Sequence, residues 1–278
     1  MSDIDVSVLL GTGAIGLAVA RRVNAGKHVL LADLKKENAE AAAEKLKQDG
    51  VEVSTAEVDV TSRKSVKQLV EKAKGLGDIK QVIVATGVSP SNAPSSVILK
   101  VDLLGVAYVL ETFGDVITPG GAALVIGSQA GHRLRALSAE EDQLISKTPS
   151  NDLLKLEIFN SQEAKDSLYA YQLAKRGSSL RVKYEAVRWG KRQARVNMIS
   201  PGIVMTPLAE AELKSQNAEQ YKSMIEKCPI NRAGKPEEVA ALAAVLMGPD
   251  GGFITGSDFL MDGGVTAAYW YGELNSLR

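Results

Sequence analysis

The chain has 278 residues, a length that one large α/β domain commonly takes. Its 45% hydrophobic and 24% charged residues exclude a disordered, collagen-like or disulfide-stapled protein. Lys plus Arg and Asp plus Glu each total 33, so no basic field gathers a polyanion and nucleic acid is not an expected partner. Cys228 is the single cysteine, and His28 and His132 stand far apart, which leaves a zinc site nothing to build on and no metal expected. The longest uncharged stretch, 6–20, is too short and too rich in glycine to span a bilayer, and Asp3 and Asp5 precede it where a secretory signal is basic. The chain therefore reads as untargeted and cytoplasmic, with no membrane partner.

In chain order, an apolar run at 6–10 predicts a first strand that leads directly into Gly11-Thr12-Gly13-Ala14-Ile15-Gly16 and a helix through Val23. Glycine at those positions allows a tight turn, close approach of a pyrophosphate, and close packing of helix on strand. The helix start then offers free N–H groups to phosphate. The second strand, 29–32, ends at Asp33 and Leu34. A carboxylate there accepts ribose hydroxyls and repels a 2′-phosphate, which favours NAD over NADP; Lys35 and Lys36 argue the other way. Amphipathic segments 35–48 and 62–74 flank a third strand, 51–58, and a fourth follows at 82–85. The fifth, 122–126, ends in Gly127-Ser128, which places a hydroxyl at the carboxyl edge of the sheet.

Residues 132–166 break this rhythm. They are polar, with weak helical signals at 139–145 and 152–159, and are expected to form a helical insertion on a single domain covering 1–278. Beyond it, Tyr171 and Lys175 are four apart on a long helical pattern, which sets phenol and ammonium on one face, where a neighbouring cation favours the phenolate. A sixth strand, 195–199, runs into Ser200-Pro201-Gly202 and a seventh is expected at 258–261. The repeated β-α-β order predicts a doubly wound, seven-stranded parallel sheet with ligands beyond the carboxyl ends of its strands. Residues 208–225 are read as a lid or a surface helix pair, Tyr269-Trp270-Tyr271 as pocket wall, interface or tail packing, and His132 as a solvated loop residue or a pocket flank.

These features together resemble the short-chain dehydrogenase/reductase family over nearly the whole chain. The likeness rests on the turn at 11–16, Asp33, Asp59-Val60, Gly87, Ser128, Tyr171-x-x-x-Lys175, Pro201-Gly202, Thr206-Pro207 and Met261-Asp262-Gly263-Gly264. It implies a Rossmann fold and an NAD(P)-dependent oxidoreductase acting on CH–OH groups. Tyr171 is then the general acid/base, Lys175 its partner and a ribose ligand, and Ser128 the residue that holds the substrate oxygen. Asp59 and Val60 would meet the adenine, Ala85-Thr86-Gly87 would border the cofactor, and Ile203 and Thr206 would reach the carboxamide. Three departures stand out: Gly11, Gly13 and Gly16 follow the general dinucleotide spacing where the family usually has Thr-Gly-x-x-x-Gly-x-Gly, Val84-Ala85-Thr86-Gly87 replaces the usual Asn-Asn-Ala-Gly, and Asp102 replaces the expected helix asparagine.

In its insertion and tail the chain is similar to the bacterial 3α-hydroxysteroid dehydrogenase branch. The resemblance thus implies a hydrophobic secondary alcohol or ketone, steroids among them, as small-molecule substrate, and a homodimer or homotetramer. Two alternatives stay open. The departures at Ala85 and Asp102 suit a non-catalytic dinucleotide sensor, and the two lysines suit an NADP-dependent carbonyl reductase.

Overall fold

The computed structural model describes residues 4–214 and 218–274; Asp3 and residues 215–217 of the expected lid lie outside them. The strands are β1 (Asp5–Leu10), β2 (His28–Asp33), β3 (Val53–Glu57), β4 (Asp78–Val84), β5 (Ala122–Ile126), β6 (Arg195–Pro201) and β7 (Asp258–Met261). All pair in parallel, in the order β3-β2-β1-β4-β5-β6-β7. This is the doubly wound Rossmann arrangement that the alternating pattern predicts, and the chain reverses its winding between β1 and β4. A crevice for a ligand opens at such a reversal.

The helices are α1 (Ala14–Val23), α2 (Lys36–Gln48), α3 (Arg63–Leu76), α4 (Ser95–Leu99), α5 (Val106–Gly114), α6 (Ala139–Lys147), α7 (Ser150–Leu153), α8 (Ser167–Gly190), α9 (Pro207–Glu212), α10 (Ala218–Glu226), α11 (Pro236–Met247) and α12 (Val265–Tyr271). A π-helical turn, Lys100–Gly105, joins α4 to α5.

Strand residues alternate between two cores, as a pleated strand requires. Val8, Leu10, Val82 and Val84 face one layer with α3, α5 and the second half of α8. Leu9, Leu31, Ile83 and Leu124 face the other, with α1, α2 and α11. With both faces covered, the central strands carry unbroken apolar runs, which is how they were legible.

The segment 132–166 folds as α6, α7 and two short 3-10 turns. Ile145, Leu153 and Phe159 bury against Ile98, Leu103 and Leu173. Ser138 and Glu141 close a reciprocal cap at the start of α6, at 3.1 and 2.6 Å. Arg181 of α8 donates to the carbonyls of Ser146 and Thr148 at the end of α6 and to Glu111. The single helical signal at 152–159 is split here into α7 and the 3-10 turn Glu157–Phe159. Asn160 explains the break: its amide donates to the carbonyls of Leu154 and Leu156, replacing helical partners.

Candidate active site

The turn after β1 is built by backbone contact. Gly11 has φ +89°, and a Cβ there would sit 2.7 Å from the main chain of Ala85 and Thr86. A Cβ on Gly16 would meet the Gly11 carbonyl at 2.6 Å, so α1 descends directly onto the turn. Gly13 is the opposite case, with nothing within 4 Å of its Cβ position. Gly13 also begins α1 without a side-chain cap or an acidic residue in the first turn, so the leading N–H groups, Ala14 and Ile15 among them, face an open cradle. Facing the turn, at the end of β4, the Thr86 hydroxyl is buried without a partner. An open, electropositive notch with an orphaned hydroxyl nearby fits a bound pyrophosphate.

Asp33 ends β2 beside this notch. Its carboxylate accepts from the N–H and hydroxyl of Thr12 at 3.0 and 2.8 Å, from Lys35 N–H at 3.2 Å and from the Asn38 amide at 3.1 Å. Burial raises its pKa, but these four donors outweigh burial and hold the carboxyl below its ordinary range. Thr12 thus braces Asp33, and Lys36 is engaged with Glu40 at 3.2 Å. Leu34 next to it is exposed. Asp59 closes a turn with Thr61, while Val60 packs against Gly105.

On α8, the Lys175 ammonium lies 5.3 Å from the centre of the Tyr171 ring, one turn away. Its other partner is Asp102: Nζ and Oδ1 are 2.9 Å apart, with side chains 6% and 0% exposed. Burial lowers the lysine pKa, and the Asp102 carboxylate followed by Tyr171 raises it further than burial lowers it, so Lys175 stays a cation. Burial pushes the Asp102 carboxyl up against the pull of Lys175. Val88 N–H donates to Oδ2 at 3.3 Å and the Ser178 hydroxyl to the Asp102 carbonyl at 2.6 Å. Gly87 leaves room for the pair, since a Cβ there would meet Asp102 Oδ1 at 2.8 Å.

Ser128 caps a 3-10 turn, Gln129–His132, with Oγ accepting from Ala130 N–H at 3.2 Å. Ser128 and Tyr171 line one cavity of about 350 Å³, together with Ile15, Pro201, Gly202, Ile203 and Thr206. Thr206 also caps α9. The cavity's other walls come from Arg133, which no sequence motif singles out, and from Glu212, Tyr221 and Met224 of the segment 208–225, read as a lid or a surface helix pair. Burial, then Glu212 and Tyr171, push the Tyr221 phenol up to about 12 against the pull of Arg133. Tyr269 of α12 joins the wall, Trp270 donates to the His132 carbonyl at 3.1 Å, and Tyr271 is exposed. His132 turns away from the cavity to Asp258 of β7, at 3.1 Å. Among the described residues, no group of three metal-ligating side chains occurs, and no helix is long and apolar enough to cross a membrane.

The family model for short chain dehydrogenase matches residues 6–139, and that for enoyl-(acyl carrier protein) reductase matches 136–266. The short-chain dehydrogenase/reductase bsc3 of Alternaria brassicicola is 36% identical over 261 residues, covering 94% of this chain and 95% of that protein. The 7alpha-hydroxysteroid dehydrogenase of Bacteroides fragilis is 26% identical over 272 residues, covering 96% of each. A solved short-chain dehydrogenase/reductase from Serratia marcescens superposes with a TM-score of 0.73 at 22% identity, over 95% of this chain and 98% of that one, which speaks for the fold alone.

Proposed function

The chain belongs to the short-chain dehydrogenase/reductase family, oxidoreductases that act on CH–OH groups with a nicotinamide dinucleotide, and from that premise we propose an NAD(H)-dependent dehydrogenase of hydrophobic secondary alcohols or ketones. The carrying observation is the sharing of one cavity by Ser128 and Tyr171 with Lys175 behind the Tyr171 ring. Bound nicotinamide supplies or accepts the hydride at the carbinol carbon. Ser128 holds the substrate oxygen by a hydrogen bond, and Tyr171 passes the proton to or from it. Lys175 keeps a positive charge beside that ring, and Asp102 acts as a positioning residue that fixes the lysine.

The N–H groups at Gly13, Ala14 and Ile15 receive the pyrophosphate, and Gly11 and Gly16 shape their approach. Asp33 accepts the adenosine ribose hydroxyls, and its retained charge disfavours a 2′-phosphate, which supports NAD over NADP. Asp59, Val60, Ala85, Thr86 and Gly87 border the adenine side; Pro201, Gly202, Ile203 and Thr206 border the nicotinamide side. The steroid dehydrogenase relative and the apolar side chains of Ile15, Ile203, Leu208 and Met224 in the cavity lining support a hydrophobic substrate. A purely sensing role is not favoured, because the proton-transfer residues share the cavity intact.

Tyr171→Phe tests this reading. Turnover of alcohols with NAD is expected to fall about a thousandfold or more while NADH still binds, as read by its fluorescence. Turnover within about tenfold of the parent ends the mechanism.

A further inference from the structure

We infer that the substrate carries a carboxylate, received by Arg133 in the cavity that Ser128 and Tyr171 line. This rests on the dehydrogenase reading above and adds the substrate class. Arg133 follows the 3-10 turn that starts at Ser128, so its guanidinium enters the cavity that Ser128 and Tyr171 line. Its surroundings are unusual for a cation. The Tyr269 ring centre lies 5.5 Å from the guanidinium carbon, and the only hydrogen bond it makes among the described residues runs from Nη1 to the Met224 sulfur at 3.2 Å. A ring face and a thioether are weak partners for a guanidinium. Nε is buried and donates to nothing.

The acids nearby are otherwise engaged. Asp262 acts on Arg133 without forming an ion pair, and its two oxygens accept from Gly264 and Thr266 N–H at 2.9 and 2.7 Å. Glu212, another acid on the cavity wall, accepts from the hydroxyls of Ser89 and Ser91 at 3.0 and 2.8 Å. Arg181 shows the contrast: its Nε is likewise buried without a partner, but its Nη groups are answered by Glu111 and two carbonyl oxygens, where those of Arg133 have a thioether and a ring face. Burial lowers the pKa of Arg133, yet a guanidinium does not release its proton in any ordinary pH range, so the charge remains and its demand for an acceptor persists.

A carboxylate matches that demand with two parallel N–H···O bonds. Tyr221, Tyr269, Met224 and Leu208 supply apolar wall for the carbon body. The fitting substrate class is a hydroxy acid or oxo acid with a hydrophobic skeleton, its secondary carbinol at Ser128 and Tyr171 and its carboxylate at Arg133.

The test is calorimetric titration of the NAD-saturated protein with cyclohexanecarboxylate, 3-cyclohexylpropanoate and benzoate, each against its primary amide. At least one carboxylate is expected to bind about tenfold or more tightly than its amide. Arg133→Gln should bring that pair within about twofold, while Arg133→Lys retains part of the difference. Thermal unfolding of each variant checks that it is folded. The proposal is overturned if carboxylate and amide bind the parent protein equally. It is also overturned if the difference survives in a folded Arg133→Gln protein, or if none of the carboxylates binds at roughly 10 mM. None of the probes is oxidised, so these results stand apart from the Tyr171→Phe outcome.

Discussion

The cofactor notch and the substrate wall meet in one cavity with Tyr171 and are built by different forces. The notch is made of main chain: Gly11 and Gly16 crowd against Ala85 and the turn itself, and Asp33 is fixed largely by N–H groups. The substrate wall is made of side chains delivered from distant stretches: Arg133 after β5, Tyr221 and Met224 on α10, Tyr269 on α12. Changes in the notch therefore disturb the fold and the cofactor together. Changes in the wall alter what is bound and leave the sheet alone.

The largest effect is expected at the buried pair behind Tyr171. Asp102→Leu strands the Lys175 ammonium in the interior and is expected to lower unfolding stability by about 3–5 kcal/mol in denaturant titrations. The double change with Lys175→Met should recover most of that stability without recovering turnover. Gly11→Ala forces a left-handed alanine against the main chain of Ala85 and Thr86, just after β4, and should cost about 2–4 kcal/mol, with loss of NADH binding. Asp33→Ala should weaken NAD binding by about tenfold or more and narrow the preference over NADP, as read by fluorescence titration.

Asp33 also carries a pH signature. Its folded pKa is depressed, so its stabilising share is complete above the unfolded carboxyl range and disappears as pH falls through the lower folded value. Asp33→Ala should flatten that acid limb of the stability curve. The smallest effect is reserved for the insertion: Ser138→Ala removes the cap of α6 and should cost about 1 kcal/mol in thermal unfolding with NADH affinity unchanged. An equal loss of NADH affinity there would contradict the independence of the cofactor notch from the insertion.

The same division explains how much could be read from residues alone. Strands covered on both faces leave continuous apolar runs, and β5 and β7 have the bounds that their sequence patterns predict. The glycine turn was legible because backbone crowding restricts residue type. Arg133 carries a weak signal in the sequence: a 3-10 turn places residues three apart on one side, so Ala130 and Arg133 both line the cavity while His132 turns toward β7. Tyr221 and Met224 fall in the segment 208–225, read as a lid or a surface helix pair, and which of its side chains reach the cavity depends on how two short helices pack. Asp102 stands out as a departure, but its partner lies 73 residues further on and is visible only in three dimensions.

The π-helical turn at Lys100–Gly105 makes this centre responsive to chain length as much as to chemistry. Deleting a single residue from that turn would tighten it toward ordinary α geometry and rotate α4 by about 100° against α5. Asp102 would swing off the lysine even though every side chain involved were still present. Spacing within six residues of an outer helix thus governs whether an ammonium in the interior has a counterion.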